Sequence, residues 1–223
     1  TIYPENEIRA IGNRLFEAVC GINTQGILLC KDKHLSVTER RRIYEIVGQL
    51  KKHRPLQHLL GETEFYGLPF RLTDDVLIPR PETEELVEWV SSAIATPVSV
   101  LDIGTGSGCI AVALAMLNPQ AQVDALDFSA EALTVAGQNA NLNNVDINLI
   151  LMDILNEAPI GHWDIIVSNP PYIVPSEKEA MSANVLEHEP HAALFVPQED
   201  PLLFYSRIAE LGKQLLTKGG ALF

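Results

Sequence analysis

The spacing of apolar residues divides the chain into a helical beginning and a remainder in which strands and helices alternate. Apolar residues recur at helical spacing within residues 5–20, which predicts an amphipathic helix. Ser36 followed by Glu39 forms a capping box, so a further helix is expected to begin there and to run to about Lys52. No strand is predicted in residues 1–60, which are interpreted as a small helical domain.

A short segment with strand-like sequence connects this helical domain to the rest of the chain. The pattern changes at Gly61, and the following residues alternate and carry Gly and Pro, which predicts a hairpin linker over residues 61–81. Pro79-Arg80-Pro81 is predicted to be extended, because proline donates no backbone N–H and disfavours helix in the residue before it. Helical periodicity returns over Glu82–Ala95.

Beyond residue 97 the alternation of strands and helices predicts an α/β fold. The predicted strands are Val98–Ile103, Gln122–Asp127, Ile147–Asp153, Asp164–Ser168 and Gly220–Phe223, and the predicted helices are Gly108–Leu117, Ser129–Leu142 and Pro201–Leu216. This order implies a mostly parallel sheet with helices on both faces. Ligands of such sheets bind beyond the carboxyl ends of the strands.

Composition excludes several classes of protein. The chain is 47% hydrophobic and 20% charged, which is incompatible with intrinsic disorder. Its longest apolar runs fall well short of the roughly 20 residues that a membrane span needs. Cys20, Cys30 and Cys109 share no CxxC spacing, so a disulfide scaffold or zinc knuckle is not expected. A soluble protein of the reducing cytoplasm is predicted.

Charge is distributed unevenly along the chain. Residues 1–60 hold 10 Lys and Arg against 6 Asp and Glu, whereas residues 61–223 hold 6 against 23. The second part would repel a phosphate backbone, so direct DNA binding is not expected. The basic clusters Arg40–Arg42 and Lys51–Arg54 have two interpretations: a solvated helix face, or a docking surface for an acidic or nucleic-acid-bearing partner.

A glycine-rich turn follows the first strand of the predicted sheet and consists of Gly104, Thr105, Gly106, Ser107 and Gly108. Glycines allow a sharp turn and a close approach of the backbone to a ligand. The dinucleotide fingerprint requires a third glycine where Cys109 stands, and the lysine of a P-loop is absent. The G-x-G-x-G spacing resembles the S-adenosylmethionine loop of class I methyltransferases, which implies S-adenosylmethionine as the cofactor.

Two acidic residues end the next two strands. Asp127 is predicted to accept hydrogen bonds from both ribose hydroxyls of an adenosine; the alternative is a charge that is favourable at a helix N-terminus. Asp153 is predicted to approach the adenine amine, with Ile154 packing on the ring. An ordinary loop acid and a core isoleucine are the alternatives for this pair.

The segment after the fourth strand carries the candidate catalytic residues Asn169, Pro170 and Tyr172, which together with Pro171 are the candidate substrate-binding residues. Asn169 is also a candidate cofactor-binding residue. Two prolines stiffen this loop and donate no N–H, so carbonyl oxygens remain beside the Asn169 side-chain oxygen. Such acceptors suit a planar NH2 group, and Tyr172 can lie against its flat face. The alternative is a rigid turn with a capping asparagine, which does not explain its place at the ligand edge of the sheet.

These residues resemble a known family. Asn-Pro-Pro-Tyr after strand four marks methyltransferases that act on planar nitrogen, and Leu77–Glu84 resembles the signature that the HemK/PrmC family carries between its two domains. The residues Gly61-Glu62, Phe65-Tyr66-Gly67, Glu189-Pro190 and Ala193-Leu194 match the same family. The resemblance implies methyl transfer from S-adenosylmethionine to the glutamine of the Gly-Gly-Gln motif in peptide-chain release factors.

The resemblance also implies roles for individual residues. Gly104, Gly106 and Gly108 would line the methionine half of the cofactor, and Asp127 would hold its ribose. Asn169 and the Pro170 carbonyl would accept hydrogen bonds from the glutamine amide, with Tyr172 packing over it. Arg80 and Glu82 have two interpretations: closing the cofactor pocket or orienting the substrate backbone, or an interdomain salt bridge.

The domain predictions follow from the same resemblance. Residues 1–60 are interpreted as a substrate-docking domain, and residues 82–223 as a methyltransferase domain that is incomplete at its C-terminus, because class I methyltransferases have two further strands. Substrate choice is assigned to the N-terminal helices and the loop 173–197. His188 stands where the family often has an aromatic residue.

Other functions remain open at this stage. His188-Glu189-Pro190-His191 suggests metal ligands, but Pro190 interrupts a regular helix, so a solvated loop and no metal are predicted. DNA adenine methylation and methylation of a ribosomal-protein glutamine are the enzymatic alternatives. An S-adenosylmethionine-binding module without turnover is the non-enzymatic alternative.

Overall fold

The computed structural model describes residues 2–29, 32, 34–94 and 97–223. The chain forms two compact units: Thr1–Leu60 together with Ala183–His188, and Gly61–Ser182 together with Glu189–Phe223. Cys30 and the predicted helix end at Ala95 lie outside the described residues. No helix in the described ranges has the length and hydropathy that crossing a bilayer requires.

The first unit is helical. Its helices are α1 (Glu5–Cys20), α2 (Thr24–Leu29), α3 (Val37–Leu50) and α4 (Leu56–Leu60), and its described residues form no strand. The capping box is confirmed: the Glu39 N–H donates to Ser36 Oγ at 3.2 Å and the Ser36 N–H to Glu39 Oε2 at 2.6 Å. Leu15, Ile46 and Leu50 form the buried centre of this unit.

The second unit begins with a hairpin of two short antiparallel strands, β1 (Glu62–Phe65) and β2 (Leu68–Arg71). Phe65 and Phe70 are 1% exposed and meet edge to face, with their ring centroids 6.0 Å apart. These rings are the apolar side of the hairpin and belong to the core of the second unit.

A five-stranded sheet forms the centre of the second unit. The strands are β3 (Ser99–Ile103), β4 (Gln122–Asp127), β5 (Asn148–Leu151), β6 (Trp163–Ser168) and β7 (Leu216–Leu222). Their order is β5-β4-β3-β6-β7, and every neighbouring pair is parallel. The longer helices of this unit are α5 (Glu82–Ala93), α6 (Cys109–Leu117), α7 (Ala130–Leu142) and α9 (Leu203–Leu215). The short helix between α7 and α9, α8 (Ala183–His188), belongs to the first unit.

The two faces of the sheet pack against different helices. Successive strand residues point to opposite faces, and Val100 packs in one core with Ala113 of α6, whereas Leu101 packs in the other with Leu211 of α9. All four residues are fully buried. The predicted α/β fold, with a parallel sheet between helices, is therefore confirmed.

Several elements end at other residues than predicted. The third strand of the sheet runs over Asn148–Leu151 and not over Ile147–Asp153, so Asp153 lies beyond its end. Pro81 is not extended: its φ of −55° and ψ of −35° are helical, and it stands directly before α5, because the fixed φ of proline suits a helix start. The last strand begins at Leu216 rather than at Gly220. The Thr217 hydroxyl donates to Asp164 Oδ1 at 2.7 Å, and the register shifts between Trp163 and Ile165.

The predicted loop 173–197 contains regular structure. It holds two short 3-10 helices, Pro175–Ala180 and His191–Ala193, and the helix α8. Pro190 does interrupt the helix, but the prediction of a solvated loop is wrong at Glu189, which is 4% exposed. Helix α8 groups with the first unit, not with the domain predicted to contain it, and His188 Nε2 lies 2.9 Å from the Lys52 carbonyl oxygen there.

Candidate active site

A cavity of about 570 Å³ lies at the carboxyl ends of the central strands. This edge is where the connectivity of an open parallel sheet leaves room for a ligand. Eight of the predicted site residues line the cavity: Gly104, Gly106, Asp127, Asp153, Ile154, Asn169, Pro170 and Pro171. The fold thus brings together residues from four separate strand ends.

Part of the remaining wall comes from segments to which the sequence assigned no site residue. Val76 and Leu77 contribute from the chain before α5, Pro190 and Ala192 from the segment after α8, and Phe204 from α9. Leu77 and Pro190 stand in two of the motifs on which the family resemblance rests, so that resemblance was the available signal. Phe204 belongs to an amphipathic helix, and nothing in the sequence marked it as a wall residue.

The glycine loop keeps the cavity open. Gly104 has a φ of +74° and Gly106 a φ of +56°, in the left-handed region that favours glycine. A Cβ atom built on either residue would meet no atom within 4 Å. Because both residues line the cavity, this free space lets a ligand approach the backbone closely.

Three predicted cofactor residues do not reach the cavity wall. Thr105 and Ser107 are buried at 5% and 3% exposure, and the Thr105 hydroxyl donates to Asp102 Oδ2 at 2.6 Å. Gly108 lies against α7, where its Cβ would come within 2.9 Å of Ala136 Cβ. These residues stabilise the conformation of the loop and its packing against α7, and they do not line the cavity.

Buried Asn139 of α7 fixes the loop from behind. Its Nδ2 donates to the carbonyl oxygens of Ser107 at 2.8 Å and of Arg71 at 3.1 Å, and its Oδ1 accepts from the Arg71 N–H at 2.7 Å. One side chain therefore joins the hairpin, α7 and the glycine loop. A buried amide with three hydrogen bonds holds these segments in one arrangement.

Asp127 ends β4 at the cavity wall. Its Oδ2 accepts from the Gly106 N–H at 2.8 Å and its Oδ1 from the Ser129 N–H at 3.0 Å. Burial raises the pKa of this carboxyl, and the hydrogen bonds from backbone N–H groups oppose that shift. Asp127 thus lies at the start of α7, as the alternative interpretation predicted, and it also lines the cavity.

Asp153 and Ile154 also lie on the cavity wall. The two carboxylate oxygens of Asp153 accept from the Leu155 N–H at 3.0 Å and from Asn156 Nδ2 at 2.6 Å, so this side chain closes its own turn. Ile154 is 6% exposed and packs in the core beneath the cavity. Both residues have the structural roles that were the alternatives to cofactor contact, and both lie on the cavity wall.

Asn169 lies on the cavity wall directly after β6. Its Nδ2 donates to Thr83 Oγ1 at 3.2 Å, a contact across 86 residues of sequence, and Thr83 is 7% exposed. The preceding Ser168 hydroxyl donates to the Ile103 carbonyl oxygen at 2.7 Å, which fixes the strand end. Tyr172 is 58% exposed and is not part of the cavity wall.

Arg80 forms a salt bridge that ties two walls of the cavity together. Its guanidinium lies 2.7 Å from Glu189 Oε1, and the Ile78 N–H donates to Glu189 Oε2 at 3.4 Å. The Glu189 side chain is 1% exposed. The interdomain salt bridge that was one interpretation of Arg80 is wrong, because Arg80 and Glu189 lie in the same compact unit. Glu82 is exposed at the start of α5.

Asp102 is a functional candidate that the sequence reasoning missed, although an acid in an otherwise apolar strand before the glycine loop is a visible signal. It is fully buried, and its Oδ1 has no hydrogen-bond partner in the described part of the chain. Burial raises its pKa to about 7, the Thr105 hydroxyl and the Ala111 amide lower it, and the Asp127 charge raises it.

The raised pKa of Asp102 predicts a pH-dependent stability. The folded state keeps this proton up to about pH 7, whereas the unfolded chain loses it near the ordinary aspartate pKa of 3.8. Stability from this group is therefore present at low pH and lost as the pH rises, by about 1.4 kcal/mol per pH unit until the folded-state pKa is passed. Asp102→Asn removes this titration. The free energy of unfolding of the variant, minus that of the parent, is therefore expected to increase as the pH rises.

Denaturant unfolding between about pH 5 and pH 8 measures this difference. Asp164→Asn is the matched control, because hydrogen bonds led by the Ser99 N–H lower the pKa of Asp164, which places its titration below this range. A stability difference between Asp102→Asn and the parent that stays constant across the range would contradict the raised pKa.

Comparison with known proteins agrees with this site. The methyltransferase small domain family matches residues 82–194, and the PrmC N-terminal domain family matches residues 4–61. The fold, the glycine loop and the cavity thus define an S-adenosylmethionine-dependent methyltransferase. A release factor glutamine methyltransferase of Bacteroides thetaiotaomicron is 45% identical, with 100% of this chain and 81% of that protein covered. One of Flavobacterium psychrophilum is 44% identical, with 100% and 80% covered.

The chain belongs to the release factor glutamine methyltransferase family, which confirms the resemblance predicted from its motifs. Among solved structures, a ribosomal protein L11 methylase from Lactobacillus delbrueckii subsp. bulgaricus is 27% identical over 64% of this chain and 59% of that one, with a TM-score of 0.43. The assignment rests on the sequence relatives.

S-adenosylmethionine is the cofactor of this methyltransferase, and the residues present fit it. The cavity has the size typical of small-molecule sites. Gly104 and Gly106 leave part of the cavity wall free of side chains. The Asp127 carboxylate at the end of β4 and the apolar side chain of Ile154 also line the cavity. In the described part of the chain no group of three or more His, Cys, Asp and Glu side chains could hold a metal ion.

Proposed function

We propose that this chain transfers a methyl group from S-adenosylmethionine to the side-chain amide nitrogen of the glutamine in the Gly-Gly-Gln motif of peptide-chain release factors. The observation that carries the proposal is the Asn169 amide on the cavity wall, with its NH2 group directed to Thr83. The names of the relatives in Bacteroides and Flavobacterium support the same substrate.

The proposed cofactor contacts come from three strand ends. The backbone at Gly104 and Gly106 would hold the methionine half, and Ile154 would pack on the adenine. Each oxygen of Asp127 accepts one backbone N–H, and each retains a lone pair that can accept a ribose hydroxyl. The bound cofactor supplies an electrophilic methyl group on a sulfonium centre.

The proposed substrate contacts suit a planar NH2 group. An amide nitrogen is a weak nucleophile because its lone pair is delocalised, so positioning has to contribute much of the rate. Asn169 Oδ1 and the Pro170 carbonyl oxygen would accept its two N–H groups. As the carbon–nitrogen bond forms, the carbon–sulfur bond would break and its electron pair would return to sulfur, which leaves S-adenosylhomocysteine. Positive charge develops on the nitrogen, and the two acceptors stabilise it until the proton leaves to solvent.

Two further groups are proposed to bind the protein substrate. Tyr172 is 58% exposed, so its ring is accessible for packing over the substrate amide. The first 60 residues, with their excess of Lys and Arg, are proposed to dock the release factor, while the acidic remainder disfavours DNA. The cytoplasmic location predicted from the sequence is part of this proposal.

Transfer of a labelled methyl group tests the substrate. The protein is incubated with methyl-labelled S-adenosylmethionine and, separately, with a release factor, with the same factor carrying Gln→Ala in its Gly-Gly-Gln motif, and with duplex DNA. Label on the intact factor alone is the expected result. Label on DNA would overturn the proposal, and absence of label with the cofactor bound would leave a binding module.

A further inference from the structure

We propose that Thr83 is a positioning residue that orients the Asn169 amide for catalysis. This inference rests on the proposed function, because it concerns how the same site accepts an NH2 group. It begins from the contact between the two side chains, in which Asn169 Nδ2 donates to Thr83 Oγ1 at 3.2 Å.

The two ends of an asparagine amide have nearly the same shape and opposite hydrogen-bonding character. Oδ1 is an acceptor, and Nδ2 carries two donors. A substrate NH2 group offers only donors, so only the orientation with Oδ1 toward the substrate is productive. The opposite orientation would set two NH2 groups against each other.

The backbone around Asn169 is held firmly, but its side chain is exposed. The Ser168 hydroxyl and N–H are bound to the carbonyl oxygens of Ile103 and Phe223, and Pro170 is buried. Asn169 itself belongs to the exposed class. Rotation of its amide is therefore controlled by what its Nδ2 meets, and the hydrogen bond to Thr83 is the contact that the structure provides.

Thr83 is well suited to this role. It lies in the first turn of α5 and is 7% exposed, so its hydroxyl stays in place. The Thr83 N–H donates to the Arg80 carbonyl oxygen at 3.0 Å, which fixes its backbone. A hydroxyl can also donate to Oδ1, but the donors of a substrate amide exclude that arrangement, and Thr83 then stabilises the productive orientation.

Two substitutions at one position separate this role from simple packing. Thr83→Val keeps the shape of the side chain and removes the acceptor, whereas Thr83→Ser keeps the hydroxyl and removes a methyl group. We expect Thr83→Val to lower kcat for the release factor by about tenfold, the worth of one oriented hydrogen bond, with the affinity for S-adenosylhomocysteine unchanged. Thr83→Ser is expected to stay within about twofold of the parent kcat.

The orientation is also measured without turnover. In the free protein the Asn169 side-chain NH2 resonances are assigned by their loss in Asn169→Asp, and they are expected to shift in Thr83→Val and to be retained in Thr83→Ser. Unshifted resonances in Thr83→Val would overturn the contact, even if the release factor proves not to be a substrate. Shifted resonances with an unchanged kcat would overturn the positioning role while the proposed function stands.

Discussion

Replacing Asn169 with alanine is expected to lower kcat for release-factor methylation by about two to three orders of magnitude, the typical effect of removing one group that stabilises charge in a transition state. The substitution removes the proposed side-chain acceptor for the substrate amide and leaves the glycine loop and Asp127 in place. Affinity for S-adenosylhomocysteine is therefore expected to change by less than about tenfold. Single-turnover methyl transfer and titration calorimetry measure the two quantities.

Asn141→Ala is the matched control for this experiment. Asn141 is an exposed asparagine of α7, and its Nδ2 donates only within its own helix, to the Gly137 carbonyl oxygen at 2.9 Å. Its removal is expected to leave both kcat and cofactor affinity near the parent values. An Asn169→Ala variant that retains parent kcat would remove Asn169 from the catalytic machinery.

Alanine substitutions at two glycines of the same loop are expected to have different effects. At Gly108 a Cβ would lie 2.9 Å from Ala136 Cβ and 3.0 Å from Ala136 Cα, at a φ of +79°. Left-handed strain of about 1–2 kcal/mol and overpacking of about 1–3 kcal/mol then add. Gly108→Ala is expected to lower the free energy of unfolding by about 3 kcal/mol.

Gly106→Ala provides the comparison within the loop. Its φ of +56° brings the same kind of strain, but its Cβ would meet no atom within 4 Å. The methyl group would stand in the free space beside the cavity, so we expect a loss of about 1–2 kcal/mol in stability and at least a tenfold weaker binding of S-adenosylhomocysteine. Thermal unfolding and calorimetry on both variants test the pair, and equal stability losses would contradict the close contact at Ala136.

The fold could be predicted from sequence where one local signal dominates. The buried strand at Val98–Ile103 is a continuous apolar run, and the helix cap at Ser129 is a local hydrogen bond, to the Ala132 N–H at 3.1 Å. Element ends were predicted less well, because tertiary contacts decide them. The last strand begins at Leu216 since Thr217 bonds to Asp164, 53 residues away.

The candidate site also contains residues that could be predicted from the sequence and residues that could not. Residues at strand ends, such as Asp127 and Asn169, could be assigned because the topology of a parallel sheet brings all its carboxyl ends to one edge. The partners that hold the site together could not. Glu189 meets Arg80 across 109 residues, and Thr83 meets Asn169 across 86. No periodicity in the sequence reports such a pair.

Helix α8 determines where this protein can be cut. The chain leaves the second unit after Ser182, contributes six residues to the first unit, and returns at Glu189. A fragment that starts at Gly61 would therefore carry a helix separated from its packing partners, including the Lys52 carbonyl oxygen that His188 contacts. Truncation at residue 60 therefore does not remove the whole first unit. Shortened variants for crystallography or substrate-exchange experiments also need a different sequence in place of residues 183–188.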